Sequence, residues 1–148
     1  MKYSQATNYA LHTMLYFVAL PPGTTLGVQQ LAAWQKLSPT YLSKILTKLV
    51  KNGLIESTPG INGGYKLTKN KEDLSFLDVI QAIEGTASMF HCGAGLQHNA
   101  CMIQQVMLDA ERQRESYLQE RKLVEFAEET SMWLRTVNLS AFGTRAES

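Results

Sequence analysis

Residues 37–67 read LSPTYLSKILTKLVKNGLIESTPGINGGYKL, and this segment is the most informative about the architecture. Ser38-Pro39 is typical of a helix start, because serine accepts hydrogen bonds from free amides and proline is tolerated at the first helical position. Asn52-Gly53 is typical of a helix end. Apolar residues at positions 42, 45, 46 and 49 share one helical face. The sequence therefore predicts a helix from Ser38 to Lys51.

Two further patterns flank this helix. Residues 54–57 and 65–68 are short strand-like runs on either side of a glycine-rich segment, which predicts a β-hairpin. Upstream, the spacing of residues 28–34 predicts a short helix, separated from the next one by a break at Lys36-Leu37. Two helices, a tight turn and a hairpin make a winged helix-turn-helix. We therefore expect a mainly α protein of the α+β class with a small β-hairpin wing.

The rest of the chain is predicted to be mostly helical. Apolar spacing predicts a helix from Tyr3 to Leu20 and another from Phe76 to Glu84, the latter begun by Ser75 and Asp78 as a capping box. Residues 85–101 are rich in glycine and irregular. A long helix follows from Met102, with a break near Arg121 and a second short helix after it. Beyond Thr130 little pattern is visible.

Composition and charge narrow the class of protein. The 148 residues are 45% hydrophobic and 18% charged, which is ordinary for a globular protein. No apolar run is long enough to cross a bilayer and no signal peptide is evident, so we expect a cytoplasmic protein without a membrane partner. Residues 1–70 carry seven lysines and one acid, whereas residues 71–148 carry seven basic residues and twelve acids. This asymmetry suggests that the N-terminal half meets a polyanion.

DNA is the polyanion that a winged helix-turn-helix would meet. A helix fits the major groove, and the hydroxyls and lysines on the outward face of this one suit phosphates and base edges. Those positions are Ser38, Thr40, Tyr41, Ser43, Lys44 and Lys48. The hairpin loop can lie along the backbone or minor groove, with Lys66 and Lys69 beside it. A winged helix that binds protein is the alternative, and no sequence motif of an enzyme is present.

The ordered series of motifs resembles the Rrf-two-type family of bacterial winged-helix transcription regulators. The resemblance covers residues 1 to about 129. The matching segments are Met1 to Ser4, Leu37 to Leu42, Leu46 to Leu49, Asn52 to Ile55, Gly60 to Leu67, Asp78 to Gly85 and Leu123 to Phe126.

The resemblance implies a homodimer in which the long C-terminal helix crosses to the partner. It divides the chain into a winged helix-turn-helix DNA-binding domain (1–84), a sensor loop (85–101), a dimerisation helix region (102–129) and a C-terminal tail (130–148). DNA contacts are implied for Lys2, Ser38, Thr40, Tyr41, Ser43 and Lys44, and in the wing for Gly60, Asn62, Gly63, Gly64 and Tyr65. Many members have glutamate in place of Ser43 and arginine in place of Pro59, so we expect an operator that differs from that of the family's iron–sulfur-cluster regulators.

The loop in this family often holds three cysteines that bind an iron–sulfur cluster, whereas this chain has two, Cys92 and Cys101. Our first expectation is a thiol switch without a cofactor, in a repressor that responds to redox or reactive-species stress. One alternative is a cluster held by Cys92, Cys101 and His12, the last from the first helix of a partner subunit. A zinc site of His91, Cys92, His98 and Cys101 is another. Inert cysteines are the fourth possibility.

Overall fold

The computed structural model of the chain describes residues 2–90 and 102–142. Six α-helices and one two-stranded sheet follow one another in this part of the chain. They are α1 (Gln5–Ala19), α2 (Val28–Gln35), α3 (Pro39–Lys51), β1 (Ile55–Thr58), β2 (Gly64–Leu67), α4 (Phe76–Glu84), α5 (Met102–Glu120) and α6 (Ala127–Phe142). Short 3-10 turns at Lys71–Asp73 and Leu123–Phe126 precede α4 and α6. The predicted class, mainly α with a small β-hairpin, is confirmed.

Helix α1 runs through the centre of the core. Ala10, Met14 and Val18, spaced four residues apart, are fully buried along one face, and the helix packs against α3, α4 and α6. Ser4 caps its start, since Ser4 Oγ accepts a hydrogen bond from the Thr7 amide at 3.3 Å. The helix therefore begins two residues later than predicted, because the cap itself has extended backbone.

Helices α2 and α3 form the predicted helix-turn-helix. Lys36 ends α2 in the left-handed conformation, with φ of 57°, and the Leu37 amide closes the turn on the Ala32 carbonyl at 2.9 Å. Ser38 then caps α3, and the predicted stripe of that helix is buried. Burial of this stripe fixes which face of α3 points outward.

The hairpin is held by more than its own two strands. Ile55 pairs with Leu67 and Thr58 pairs with Gly64 in the antiparallel register. In addition, Leu26 from the α1–α2 connection exchanges two backbone hydrogen bonds with Tyr65, each of 2.8 Å. No strand-like pattern in the sequence predicts this third piece of extended chain.

The C-terminal part confirms the break near Arg121 but corrects the prediction of a short helix after that break. The second helix is long, because α6 continues without interruption through the segment after Thr130 that showed little pattern. Among residues 127–137 of α6, Leu134 is the one buried residue, and Trp133 stacks on Tyr16 of α1 with ring centroids 5.6 Å apart. Because so few side chains of this helix contact the core, its sequence shows no apolar stripe.

In the described residues, no helix is long and apolar enough to cross a membrane.

Candidate nucleic-acid interface

The outward face of α3 carries the residues predicted to meet DNA. Thr40, Tyr41, Lys44 and Lys48 are exposed and Ser43 is half-buried. Ser38 is exposed at the start of the helix, where its Oγ accepts a hydrogen bond from the Tyr41 amide at 3.1 Å. The Ser38 hydroxyl can still donate its own hydrogen outward. The first turn of α3 thus combines a hydroxyl donor with the positive end of the helix dipole.

Tyr41 is held from behind by a tyrosine of α1. The ring of Tyr9 meets the ring of Tyr41 edge-to-face, with centroids 6.0 Å apart and planes at 89°. This packing restricts the orientation of Tyr41, whose side chain is 38% exposed. Sequence reasoning missed Tyr9 because a half-buried tyrosine on an amphipathic helix belongs to no motif.

Positive charge is concentrated on the same surface. Residues 36–51 contain four lysines and no acid, and three of these lysines, Lys44, Lys48 and Lys51, are exposed on α3. Lys48 faces Glu84 at the end of α4. The pKa of Glu84 is held below its usual value chiefly by a hydrogen bond from Thr7 and then by Ser4, and the charge of Lys48 adds to this effect. The positive charge of Lys48 is therefore partly compensated by the carboxylate of Glu84.

The lysines beside the hairpin are engaged in ion pairs. Lys66 Nζ lies 3.2 Å from Glu56 Oε1 across the two strands, and Lys69 Nζ lies 2.8 Å from Asp78 Oδ2. Burial alone would raise the pKa of Asp78, but hydrogen bonds from Lys69 and Ser75 outweigh it and lower that pKa. Both lysines are less available to DNA than the sequence suggested.

The five predicted wing residues fall into two groups. Gly60 and Asn62 are exposed, whereas Gly63, Gly64 and Tyr65 are half-buried. A Cβ at Gly63 would lie 2.2 Å from the Thr58 carbonyl oxygen, and one at Gly64 would lie 2.6 Å from the Leu26 carbonyl oxygen. These two glycines are required by the close approach of backbone to backbone. Tyr65 packs against the core and supplies the backbone pairing with Leu26.

Lys2 lies on a different part of the molecule from the tip of the hairpin. It is exposed and lines a cavity between the start of α1, the end of α4 and α5. Next to it, Arg114 of α5 donates a hydrogen bond to the Tyr3 hydroxyl and lies 5.7 Å from the centre of the Tyr3 ring. The start of α1 is therefore attached to α5.

The proposed sensor residues Cys92, Cys101, His91 and His98 lie outside the described residues. His12 is described: it is exposed on α1 and its Nδ1 lies 2.8 Å from the Asn8 carbonyl oxygen. This leaves Nε2 as the nitrogen that could bind a metal. Residues 2–90 and 102–142 contain no group of three or more His, Cys, Asp or Glu side chains placed to hold a metal ion.

The chain that enters the cysteine segment is fixed to α5. Glu111 Oε2 accepts a hydrogen bond from Ser88 Oγ at 2.8 Å, and Glu111 Oε1 accepts one from the Met89 amide at 3.0 Å. Glu111 is three residues before Arg114, so both attachments use one turn of α5. This turn connects the segment before the cysteines with the start of α1, a link that no sequence spacing could reveal.

Comparison with known proteins agrees with this architecture. The Rrf2 family model, described as iron-dependent transcriptional regulator, matches residues 3–129. The chain belongs to the Rrf2 family. It is 33% identical over 129 residues to YwgB of Bacillus subtilis, covering 83% of this chain and 82% of that protein. It is 42% identical over 98 residues to YffB of Lactococcus lactis, covering 66% of this chain and 63% of that protein, which is less than two thirds of its length.

Both relatives carry the names of helix-turn-helix transcriptional regulators. The solved structure of CymR, titled the global cysteine regulator of B. subtilis, has a TM-score of 0.70 at 23% identity, covering 86% of this chain and 97% of that one. That likeness concerns the fold. The Rrf2 membership makes this chain one of a family of transcriptional regulators rather than an enzyme.

Proposed function

We propose that this chain is a homodimeric repressor that binds a double-stranded operator in the cytoplasm and releases it when Cys92 and Cys101 are oxidised. The observation that carries DNA binding is the outward face of α3, where a capped first turn and three exposed lysines occur without an intervening acid. Phosphates are attracted to the lysines, while the hydroxyls of Ser38, Thr40 and Tyr41 suit base edges and phosphates alike.

Helix α5 supports the homodimer. None of its residues, all of which the structure describes, is buried, although Ile103, Val106 and Tyr117 are large apolar side chains. Its half-buried positions, among them Glu111 and Arg114, face the chain's own α1 and α4 region. A helix of 19 residues with so little burial is not expected to be stable alone. A second copy of α5 against the exposed apolar residues would supply the missing packing.

The proposed response passes through the turn of α5 that contains Glu111 and Arg114. Oxidation of one thiolate by a peroxide gives a sulfenic acid, and condensation with the second thiol forms a disulfide and releases water. A disulfide that displaces Ser88 and Met89 would act on Glu111, to which both are hydrogen-bonded. Arg114 lies on the same turn of α5 and is hydrogen-bonded to Tyr3 at the start of α1. Operator half-sites lie about 34–36 Å apart, so a small change in the spacing of the two α3 helices weakens binding.

An iron–sulfur cluster is the second candidate, because the matching family model is described as iron-dependent. Cys92, Cys101 and His12 would hold it, and the cluster would supply redox chemistry to the loop. Protein purified without oxygen distinguishes the two: a colourless protein supports the thiol switch, whereas visible absorption that a chelator removes supports the cluster.

DNA binding is tested by the salt dependence of affinity for a duplex selected from a random pool. The logarithm of the affinity should fall linearly with the logarithm of salt concentration. Lys44→Gln should reduce that slope by about 1.8, because the homodimer loses two phosphate contacts and each accounts for about 0.9. Lys66→Gln is the matched control and should change it less, since Lys66 is paired with Glu56. Affinity that does not depend on salt would contradict DNA binding and favour a winged helix that binds protein.

A further inference from the structure

The tip of the wing carries no charge. Residues 57–65 contain no acidic or basic side chain. The next residue, Lys66, is neutralised by Glu56 at 3.2 Å across the hairpin. Binding by counterion release requires cationic side chains at phosphates. The wing tip therefore has no means of adding affinity through phosphate neutralisation, and any contact it makes with DNA must be of another kind.

The tip instead projects one large apolar side chain. Ile61 is fully exposed at the turn of the hairpin, between Gly60 and Asn62. Gly60 has open space around it, and Gly63 has no room for a Cβ. The tip is consequently narrow, with Ile61 as its most exposed large apolar side chain. A narrow apolar projection suits the minor groove, which is only about 6 Å wide.

In the minor groove, A·T and G·C pairs differ by one hydrogen-bonding group, the N2 amino group of guanine. A·T and T·A pairs present only acceptors, whereas a G·C pair adds the N2 amino donor of guanine. An isoleucine placed over that amino group removes it from water without offering an acceptor, which is unfavourable. Over an A·T pair no donor is left unpaired.

We propose that Ile61 is a specificity-determining residue, which selects A·T over G·C under the wing by excluding the guanine N2 amino group. This inference rests on the proposed DNA-binding function. Under this proposal the wing selects the base pair, whereas α3 provides the salt-dependent part of the affinity. The side-chain amide of Asn62, exposed beside Ile61, can donate to adenine N3 and thymine O2 or accept from the guanine amino group, so Asn62 by itself favours neither base pair.

The test uses inosine, which is guanine without its N2 amino group. A single G·C or inosine·C pair is moved along the selected operator, and the affinity of the full chain is measured at each position. At the wing positions G·C should weaken binding about tenfold, whereas inosine·C should bind like A·T. Ile61→Ser, whose hydroxyl accepts a hydrogen bond from the amino group, should reduce the tenfold ratio to about twofold and leave the salt slope unchanged.

Two controls keep the outcomes distinct. Ile61→Leu should keep the discrimination, and Lys44→Gln should lower the salt slope while keeping the ratio of A·T to G·C affinity. The inference is overturned if inosine·C weakens binding as much as G·C, or if Ile61→Ser keeps the tenfold ratio. Salt-dependent binding would persist in both of those cases. Absence of salt-dependent binding by the unaltered chain would overturn the DNA-binding function and this inference together.

Discussion

The backbones of Leu26 and Tyr65 exchange two hydrogen bonds of 2.8 Å, although the residues are far apart in the chain. This pairing fixes strand β2 of the wing, close to the end that borders the hairpin loop, to the connection between α1 and α2. Since α2 leads directly into α3, the wing and the proposed recognition helix are positioned by one continuous piece of structure. Tyr65 therefore acts as an anchor of the wing through its backbone, in addition to the DNA contact that the family resemblance implies.

Gly64→Ala should break this anchor. A Cβ there would lie 2.6 Å from the Leu26 carbonyl oxygen, and φ at Gly64 is +145°. We expect a loss of at least about 2 kcal/mol in the free energy of unfolding. Gly60→Ala is the matched control, since its φ is +106° but its surroundings are open. It should cost about 1 kcal/mol. Equal losses in urea unfolding would show that the contact with Leu26 is unimportant.

Glu84 should give the fold a defined pH dependence. Its Oε1 accepts hydrogen bonds from the Ser4 amide at 2.9 Å, from Ser4 Oγ at 2.8 Å and from Thr7 Oγ1 at 2.5 Å. The hydrogen bonds from Thr7 and Ser4 hold the pKa of Glu84 below its usual value of 4.5. A lowered pKa stabilises the fold above the unfolded value, and this stability is lost as pH falls through the folded value.

Glu84→Gln should therefore lower the free energy of unfolding by about 1 kcal/mol at neutral pH, a modest value because the carboxylate is exposed. The difference from the unaltered chain should shrink below pH 4.5 as that carboxyl is protonated. Urea unfolding over a pH series measures this. Glu72→Gln, at an exposed position before α4, should leave the profile unchanged. A difference that stays constant with pH would exclude the proposed charge effect.

Ile103→Asp should prevent the proposed dimer. The aspartate would introduce an unpaired charge among the exposed apolar residues of α5, which we expect to meet the partner. Sedimentation should show a shift toward monomer and operator affinity should fall at least tenfold. Gln105→Asp is the control, because two residues along a helix turn the side chain by about 200° onto the other face. Dimerisation lost equally in both variants would point to damage to α5 itself.

Cys92→Ser should separate DNA binding from sensing. We expect the variant to bind the operator as the unaltered chain does in reductant, because a serine at this position keeps the size of the side chain. It should remain bound after peroxide treatment, which should release the unaltered chain reversibly. Electrophoretic mobility shifts before and after oxidation measure both properties. Release of Cys92→Ser by peroxide would contradict a switch that depends on this thiol.

Much of the fold could be predicted because its determinants are close in sequence. The Ser38 cap, the buried stripe of α3 and the Ser75–Asp78 capping box each depend on residues three or four positions apart, which helix geometry brings together. The hairpin followed from its glycines. Helix α6 was partly missed because its residues 127–137 contact the core chiefly through Leu134 and Trp133.

The candidate site could be predicted less completely. Its exposed α3 residues follow from the pattern of one helix, since the buried face determines the outward one. Lys66 pairs with Glu56 and Lys69 pairs with Asp78. These ion pairs neutralise two lysines that, from the sequence alone, were expected to be available to DNA. Ile61 lies in a motif that the sequence shows, but its proposed role rests on the full exposure of its side chain and on the narrow tip around it, which depend on the tertiary structure.

Local patterns in the chain were enough to specify the elements of the winged helix and the split between a basic and an acidic half. How those elements are joined depended on the three-dimensional packing. Leu26 pairs with Tyr65, Glu84 caps the start of α1, and Glu111 and Arg114 attach the segment before the cysteines and Tyr3 to α5. Such contacts join residues far apart in the chain, where no helical or strand period relates them. They exist because burial of the shared core brings their elements together.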